Sequence, residues 1–287
     1  MKLAGGKLIV RCGLLASMAL APVSAWSSTI RDDVPDSDYT DLAASLTYAA
    51  VGTFVNSWGY TGCATLIAPD WVLTAAHVLT AASSGTFTIG GTSYASDELF
   101  TDPAWNGNAL NGNDFGLVHL STPVTSVTPV MLYSGSAEFG QVATWVGYGF
   151  TGTGLTGYQT SLGNQKRAFQ NTIDRNFGNP SLLIGSAFEN PQTVADAQPL
   201  EGCVAPGDSG GGVFISIDSQ DYLAGVISFV TSTNGTAANS SYGDLSGAGR
   251  VSAAIPWIDS VVPEPSTNSL FAVAGLVVLL ARSRRAF

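Results

Sequence analysis

The sequence predicts an all-β fold of about the size of a pair of barrels, on three observations. Its 287 residues are 45% hydrophobic and only 11% charged, which is enough apolar material for a real core and too much for a disordered chain. Runs such as GTFTIGGTSY (85–94) and DYLAGVISFV (221–230) alternate in polarity or are rich in β-branched and aromatic residues, and Gly, Asn or Asp turns break them up. Long stretches of 3.6-residue period are scarce, so helices are expected to be few.

The formal net charge is −10, and the basic residues lie disproportionately at the two ends. Nucleic acid is excluded as a partner, because phosphate contact needs clustered Lys and Arg. The acidic middle of the chain is read as a soluble surface.

Along the chain, residues 1–25 read as an export leader. Lys2, Lys7 and Arg11 flank or precede the apolar stretch GLLASMALAP, and VSA stands just before Trp26. This is the pattern of a secretory signal peptide cleaved after Ala25, and the apolar run is too short for a comfortable membrane anchor. Cys12 falls inside the leader, so residues 26–261 carry only Cys63 and Cys203. Export permits a disulfide without requiring one.

Three later stretches share one chemistry. LIAPDWVLTAAHVLT places His77 just after a hydrophobic strand, on a helix-like turn of small residues. GNDFGLVHL places Asp114 at the mouth of another apolar strand, and GDSGGGV places Ser209 in a glycine turn leading into VFISI. Singly, these are a structural histidine, a cap residue and a hairpin. In the order His, Asp, Ser they describe a nucleophilic site. A serine hydroxyl needs a base near neutral pH, His77 can take its proton, and Asp114 can hold the imidazole's tautomer. The resulting oxyanion needs convergent backbone N–H groups. The glycines of PGDSGG allow the tight turn that supplies them, with Gly207 and Ser209 as donors.

TAAHV, NDFGLVHL and GDSGG resemble the three catalytic motifs of the chymotrypsin-like (trypsin-fold) serine proteases, in that family's order and with similar separations. GCATLIAPDWVLTAAH, ATWVGYG, GVISFV and RVSAAIPWIDSVV extend the likeness from about Ile30 to Val261. The resemblance implies two packed six-stranded antiparallel Greek-key β-barrels and a short C-terminal helix, with a lobe boundary near 135–140. His77 and Asp114 would come from the first barrel and Ser209 from the second, and the triad mechanism is the one established for that family. It further implies a polypeptide substrate, no cofactor and a monomer.

Other expectations follow from the same resemblance. Ile30 would supply a freed amino terminus for Asp208, a buried ammonium–carboxylate pair that holds the oxyanion loop. Arg31 and Asp32 stand where that family has glycines. Cys203, six residues before Ser209, would lie at the floor of the substrate pocket, with Ser228, Phe229 and Val230 along its wall. A cysteine there brings no carboxylate for Arg or Lys, and a valine narrows the pocket. A small or medium apolar residue such as Ala or Val is therefore expected at P1, the residue on the acyl side of the cleaved bond. Val78 occupies the position of the usual partner of Cys63, so Cys63 and Cys203 are either both free or bonded to each other, with the bond the expectation.

Residues 262–287 begin Val-Pro-Glu-Pro, continue through an apolar run at 270–281 and end with Arg282, Arg284 and Arg285. This resembles the PEP-CTERM sorting tail of Gram-negative bacteria. It implies an exosortase-like partner, transient membrane anchoring through 270–281 with the arginines cytoplasmic, and a final place in the periplasm, on the cell surface or outside the cell. No metal site is expected. There are two histidines in all and no Cys-x-x-Cys pair, and the loop NGNALNGND reads as solvated turns. The alternative function is a catalytically silent surface binding protein on the same fold. An esterase of the α/β-hydrolase kind is disfavoured because its chain order is Ser, acid, His.

Overall fold

The computed structural model describes residues 28–160, 165–233 and 237–263. The leader at 1–25 and, from residue 264, the sorting tail with its 270–281 run lie outside the described residues. Among the described residues, no helix is long and apolar enough to cross a membrane.

The first lobe is a closed six-stranded barrel. Its strands are β2 (Val51–Asn56), β3 (Thr61–Ala68), β4 (Trp71–Thr74), β5 (Gly85–Ile89), β6 (Thr92–Thr101) and β7 (Gly116–Leu120). Consecutive strands pair within 2-3-4 and within 5-6-7. The barrel closes where β7 returns beside β4 and β5 beside β2. Turn chemistry sets these registers. Gly90 and Gly91 both have positive φ between β5 and β6, the conformation that a two-residue hairpin demands. Asn56 turns β2 into β3 by accepting from the amides of Trp58 and Tyr60. Inside, Phe54, Leu66, Leu73, Phe87 and Leu117 are fully buried. Each such side chain contributes about 1.5–3 kcal/mol by leaving water.

The second lobe is a six-stranded sheet in the order β11-β8-β14-β15-β16-β12. The strands are β8 (Val142–Gly147), β11 (Arg167–Thr172), β12 (Leu183–Ala187), β14 (Gly212–Ile217), β15 (Gln220–Ser232) and β16 (Asp244–Arg250). It curls into a half-barrel rather than closing completely; beside its edges, an isolated bridge joins Arg175 to Gly185 of β12. Alternation along its strands explains their nearly continuous apolar sequences. Trp145, Phe169, Val213 and Ile227 face the lobe's own core, where the rings of Trp145 and Phe169 stack at 5.9 Å. Their neighbours Val146, Ala168, Phe214 and Val226 join the first barrel's core instead. Successive side chains on a strand point to opposite faces, so a sheet buried on both faces shows no polar alternation. Helix α2 (Val251–Val261) adds Val251, Ala254 and Ile258 to that shared core.

A third, four-stranded sheet in the order β10-β9-β1-β13 carries the N-terminal arm. It consists of β1 (Ser28–Ile30), β9 (Thr151–Thr153), β10 (Gly157–Gln159) and β13 (Gly202–Cys203). The arm then forms helix α1 (Asp36–Ala43), which follows Pro35 and has Asp36 and Asp38 in its first turn. Two devices clamp α1. The hydroxyl of buried Tyr39 donates to the Glu201 carbonyl at 2.9 Å. Asp36 receives the fully buried Arg167 guanidinium in two bonds, at 2.5 and 2.7 Å.

The cysteines correct one expectation: both are free and buried. Cys63 lies in the closed barrel and donates its thiol to the Gly207 carbonyl at 3.2 Å. Cys203 lies in the small sheet opposite Thr29, with its sulfur against the Ser246 hydroxyl at 3.4 Å. Each thiol is thus engaged on a different element. Burial holds both protonated, pushing Cys203 up to about 12 and Cys63 higher still.

Two predictions follow from the clamps. Replacing Asp36 by Ala removes the bidentate carboxylate from a buried guanidinium, at about 3 kcal/mol. A thermal melt should then show Tm lowered by roughly 6–12 °C. The second concerns Glu201, whose side chain is buried with Oε2 unpartnered among the described residues. Burial, reinforced by the neighbouring Glu189 carboxylate, pushes its pKa up to about 8. The folded state therefore holds a proton that the unfolded chain releases near the ordinary glutamate value, about 4.3. Stability contributed by that site falls as pH rises from about 4.3 to about 8, then levels off. Denaturant midpoints measured across that window should flatten with pH in Glu201→Gln.

Candidate active site

His77 is delivered by β4. Ala75 continues the strand in extended conformation, and a single 3-10 turn, Ala76–Leu79, follows. Ala76, Val78 and Leu79 are buried there, while the His77 side chain keeps 27% of its exposure. Asp114 is delivered at the entry to β7 by a turn through Gly112 and Asn113, both at positive φ. Its carboxylate is wholly buried, which requires every strong acceptor position to find a donor. Three donors serve it: the His77 backbone N–H at 2.9 Å, His77 Nδ1 at 2.7 Å and the Ser228 hydroxyl at 2.5 Å. A proton on Nδ1 has the Asp114 carboxylate as its acceptor, and in that tautomer Nε2 is the ring nitrogen available as a base.

Ser209 sits in the turn before β14, and its shape depends on glycine. Gly207 has φ +97°, in the region that L side chains avoid. A Cβ on Gly149 would stand 2.6 Å from the Asp208 amide nitrogen, so only glycine lets that strand end lie so close. The loop's other amides are used: Asp208 N–H donates to Ala205, Gly210 N–H to Ile227 and Gly211 N–H to Asp208. Among the described residues, the amides of Gly207 and Ser209 donate to no partner. Two unused donors on either side of Asp208 in a glycine turn suit a developing oxyanion. The two lobes meet at this loop, where the Cys63 amide of β3 donates to the Ser209 carbonyl at 2.7 Å. No hydrogen bond joins the Ser209 hydroxyl to the imidazole among the described residues. Ligand-free sites are often that open before substrate tightens them.

A cavity of about 210 Å3 opens beside Ser209. Val204, Ala205, Ser228, Phe229, Val230 and Tyr60 line it, and none of its lining residues is acidic. The Phe229 ring stacks edge-on against Phe177 at 4.9 Å and lies over Gly247, where a Cβ would stand 2.2 Å from it.

One expected site residue is placed differently. Cys203 is not among the lining residues: pairing with Thr29 in the small sheet buries it behind the wall, and Val204 forms the surface instead. Ile30 was expected to meet Asp208 as a freed amino terminus, and in this uncut chain it is an internal residue of the polypeptide, in β1. Its backbone is in register with Gly202 and Thr153, and its side chain packs in the second core. Asp208 instead accepts from Gly149, Ala205 and Ser28. Two contributions were absent from the sequence reading. Ser228 was expected only as pocket wall, yet it also holds Asp114; a lone hydroxyl inside the apolar run GVISFV was the signal, since a buried hydroxyl must find a partner. Tyr60, from the β2–β3 turn, carried no such signal.

Comparison with known proteins bears on this geometry. The family model described as Trypsin matches residues 43–258, more than half of the chain. The chain belongs to the trypsin family. Chymotrypsin-like elastase family member 1 from Canis lupus familiaris is 29% identical over 231 residues, covering 76% of this chain and 86% of the relative. The protein of the same description from Rattus norvegicus is 27% identical, covering 76% and 83%. This trypsin-family chain is accordingly a serine endopeptidase, a hydrolase of peptide bonds. In such an enzyme the Ser228–Asp114 bond, between a hydroxyl and a carboxylate, is worth about 1.5–3 kcal/mol. Ser228→Ala should therefore cost about 1.5–3 kcal/mol of folding stability, read in a thermal melt as a Tm lowered by roughly 3–12 °C.

Proposed function

We propose that this chain is an exported serine endopeptidase that uses Ser209, His77 and Asp114 and cleaves after small or medium apolar residues. The observation that carries the reading is the buried Asp114 carboxylate, engaged at once by His77 Nδ1 and by Ser228. With Nδ1 so engaged, Nε2 takes the Ser209 proton as Oγ adds to the scissile carbonyl carbon. The carbonyl π electrons move to oxygen, and the oxyanion is received by the Gly207 and Ser209 amides. The imidazolium then gives its proton to the leaving amine as the C–N bond breaks. Water repeats the sequence, losing its proton to Nε2, and releases the acyl group from Oγ. This is the mechanism established for the family, applied to the residues of this chain.

The size and chemistry of the cavity support the P1 preference. A cavity of about 210 Å3 without an acid gives a cationic P1 side chain no partner, and Val230 is part of its apolar lining. The sequence patterns at the two ends support export, with leader cleavage after Ala25, and sorting by an exosortase-like enzyme with transient anchoring through 270–281.

A fluorophosphonate probe should label the folded protein, and Ser209→Ala and His77→Ala should each abolish labelling; a folded wild type that stays unlabelled would leave the silent binding protein as the better reading. In a peptide library, P1 Ala or Val should exceed Arg or Lys in kcat/KM by about 100-fold or more. Val230→Gly should shift the preference toward larger apolar residues. Mass spectrometry of surface material should find the C-terminus cleaved near 262–265, and an intact tail would count against sorting.

A further inference from the structure

Asp208, immediately before the nucleophile, is fully buried, and each of its three hydrogen bonds comes from a neutral donor. Oδ1 accepts from the Gly149 amide at 2.7 Å, and Oδ2 accepts from the Ala205 amide at 2.8 Å and the Ser28 hydroxyl at 2.9 Å. The two amides are local to the walls of the loop. Ser28 is not: it lies 180 residues upstream and is itself 1% exposed.

The arm is built to hold that hydroxyl in place. β1 lies between β9, parallel to it, and β13, antiparallel to it. The Thr151 hydroxyl donates to the Ser28 carbonyl at 3.1 Å, and the Thr29 hydroxyl donates to the Ser240 carbonyl at 2.6 Å. Ser28 also sits at φ +55°, a left-handed conformation that a serine keeps only where its surroundings impose it. A carboxylate buried with a donor short would be costly, so the third donor has a structural consequence for the loop. That loop carries the two unused amides of Gly207 and Ser209.

We propose that Ser28 is a positioning residue for the oxyanion loop: its hydroxyl completes the donor set of Asp208, so the loop is held in its working shape without a freed amino terminus at Ile30. The proposal rests on Ser209 being the nucleophile, with the Gly207 and Ser209 amides as oxyanion donors. It adds a form of regulation, or rather the lack of one: activity does not wait on a cut in the arm. Because the lock consists of hydrogen bonds to neutral groups, chemical blocking of the chain's α-amine leaves it intact.

The test uses the chain beginning at Trp26, the amino end proposed for the exported form, purified in detergent and verified by intact mass. It should label with a fluorophosphonate at Ser209 and hydrolyse an Ala-P1 peptide. Ser28→Ala should lower kcat 10–100-fold with KM within threefold of wild type, and Ser28→Gly, which suits the left-handed backbone but lacks the hydroxyl, should lose kcat to the same extent. Where Ser28→Ala does not fold, Ser28→Cys, similar in size and a weaker donor, should give an intermediate loss of kcat. Labelling confined to molecules trimmed to begin at residues 28–30 would overturn the proposal while leaving the nucleophile in place, as would wild-type kcat in a folded Ser28→Ala. Absence of labelling in every form, trimmed or intact, would instead overturn the assignment of Ser209, and the proposal with it.

Discussion

The wholly buried carboxylate of Asp114 is the constraint around which the site is organised. An ion taken out of water must be met by donors on all sides, and Asp114 finds them in two lobes: the amide and ring of His77 in the first, the hydroxyl of Ser228 in the second. Each lobe alone would leave that carboxylate short of a donor. The demand for hydrogen bonds at one buried atom pair thus fixes the imidazole's orientation and contributes to the register between lobes.

The second joint is apolar. Alternate residues of the half-barrel sheet face opposite ways, so Val146, Phe214 and Val226 enter the first barrel's core while Trp145, Val213 and Ile227 fill their own. This shared packing makes the seam stiff, since side chains at interior density cannot slide independently. Across that seam the Cys63 amide and thiol reach Ser209 and Gly207, which ties the Ser209 turn to β3. Stiffness matters because an oxyanion donor acts only when it is already aimed.

Asp208 shows a similar economy. Burial pushes its pKa up to about 6, even with three hydrogen bonds favouring the charged form. Arg167 from β11 lends it a distant positive charge, and the Cys63 and Cys203 thiols lie nearby, both neutral. The arm that supplies Ser28 is clamped by its own helix, through Tyr39 on Glu201 and Asp36 on Arg167. The N-terminal segment is therefore part of the loop's scaffold and more than a leading strand.

The all-β class, the turns at Gly90-Gly91 and at PGDSGG, and the His77, Asp114, Ser209 order were legible in the sequence because each rests on short-range chemistry: strand periodicity, glycine's conformational freedom and motif spacing. Helix α1 was not legible, because eight residues after a proline gain their stability from Tyr39 and Asp36 meeting residues more than 100 positions away. Nor were the free cysteines, the retreat of Cys203 behind Val204, or the partnership of Ser28 with Asp208. Sequence by itself determined which residue types were present to do the chemistry and in what order. Which donor answers which buried acceptor was decided only by tertiary structure, because that choice depends on distances between segments up to 180 residues apart and on the requirement that no buried charge go unmet.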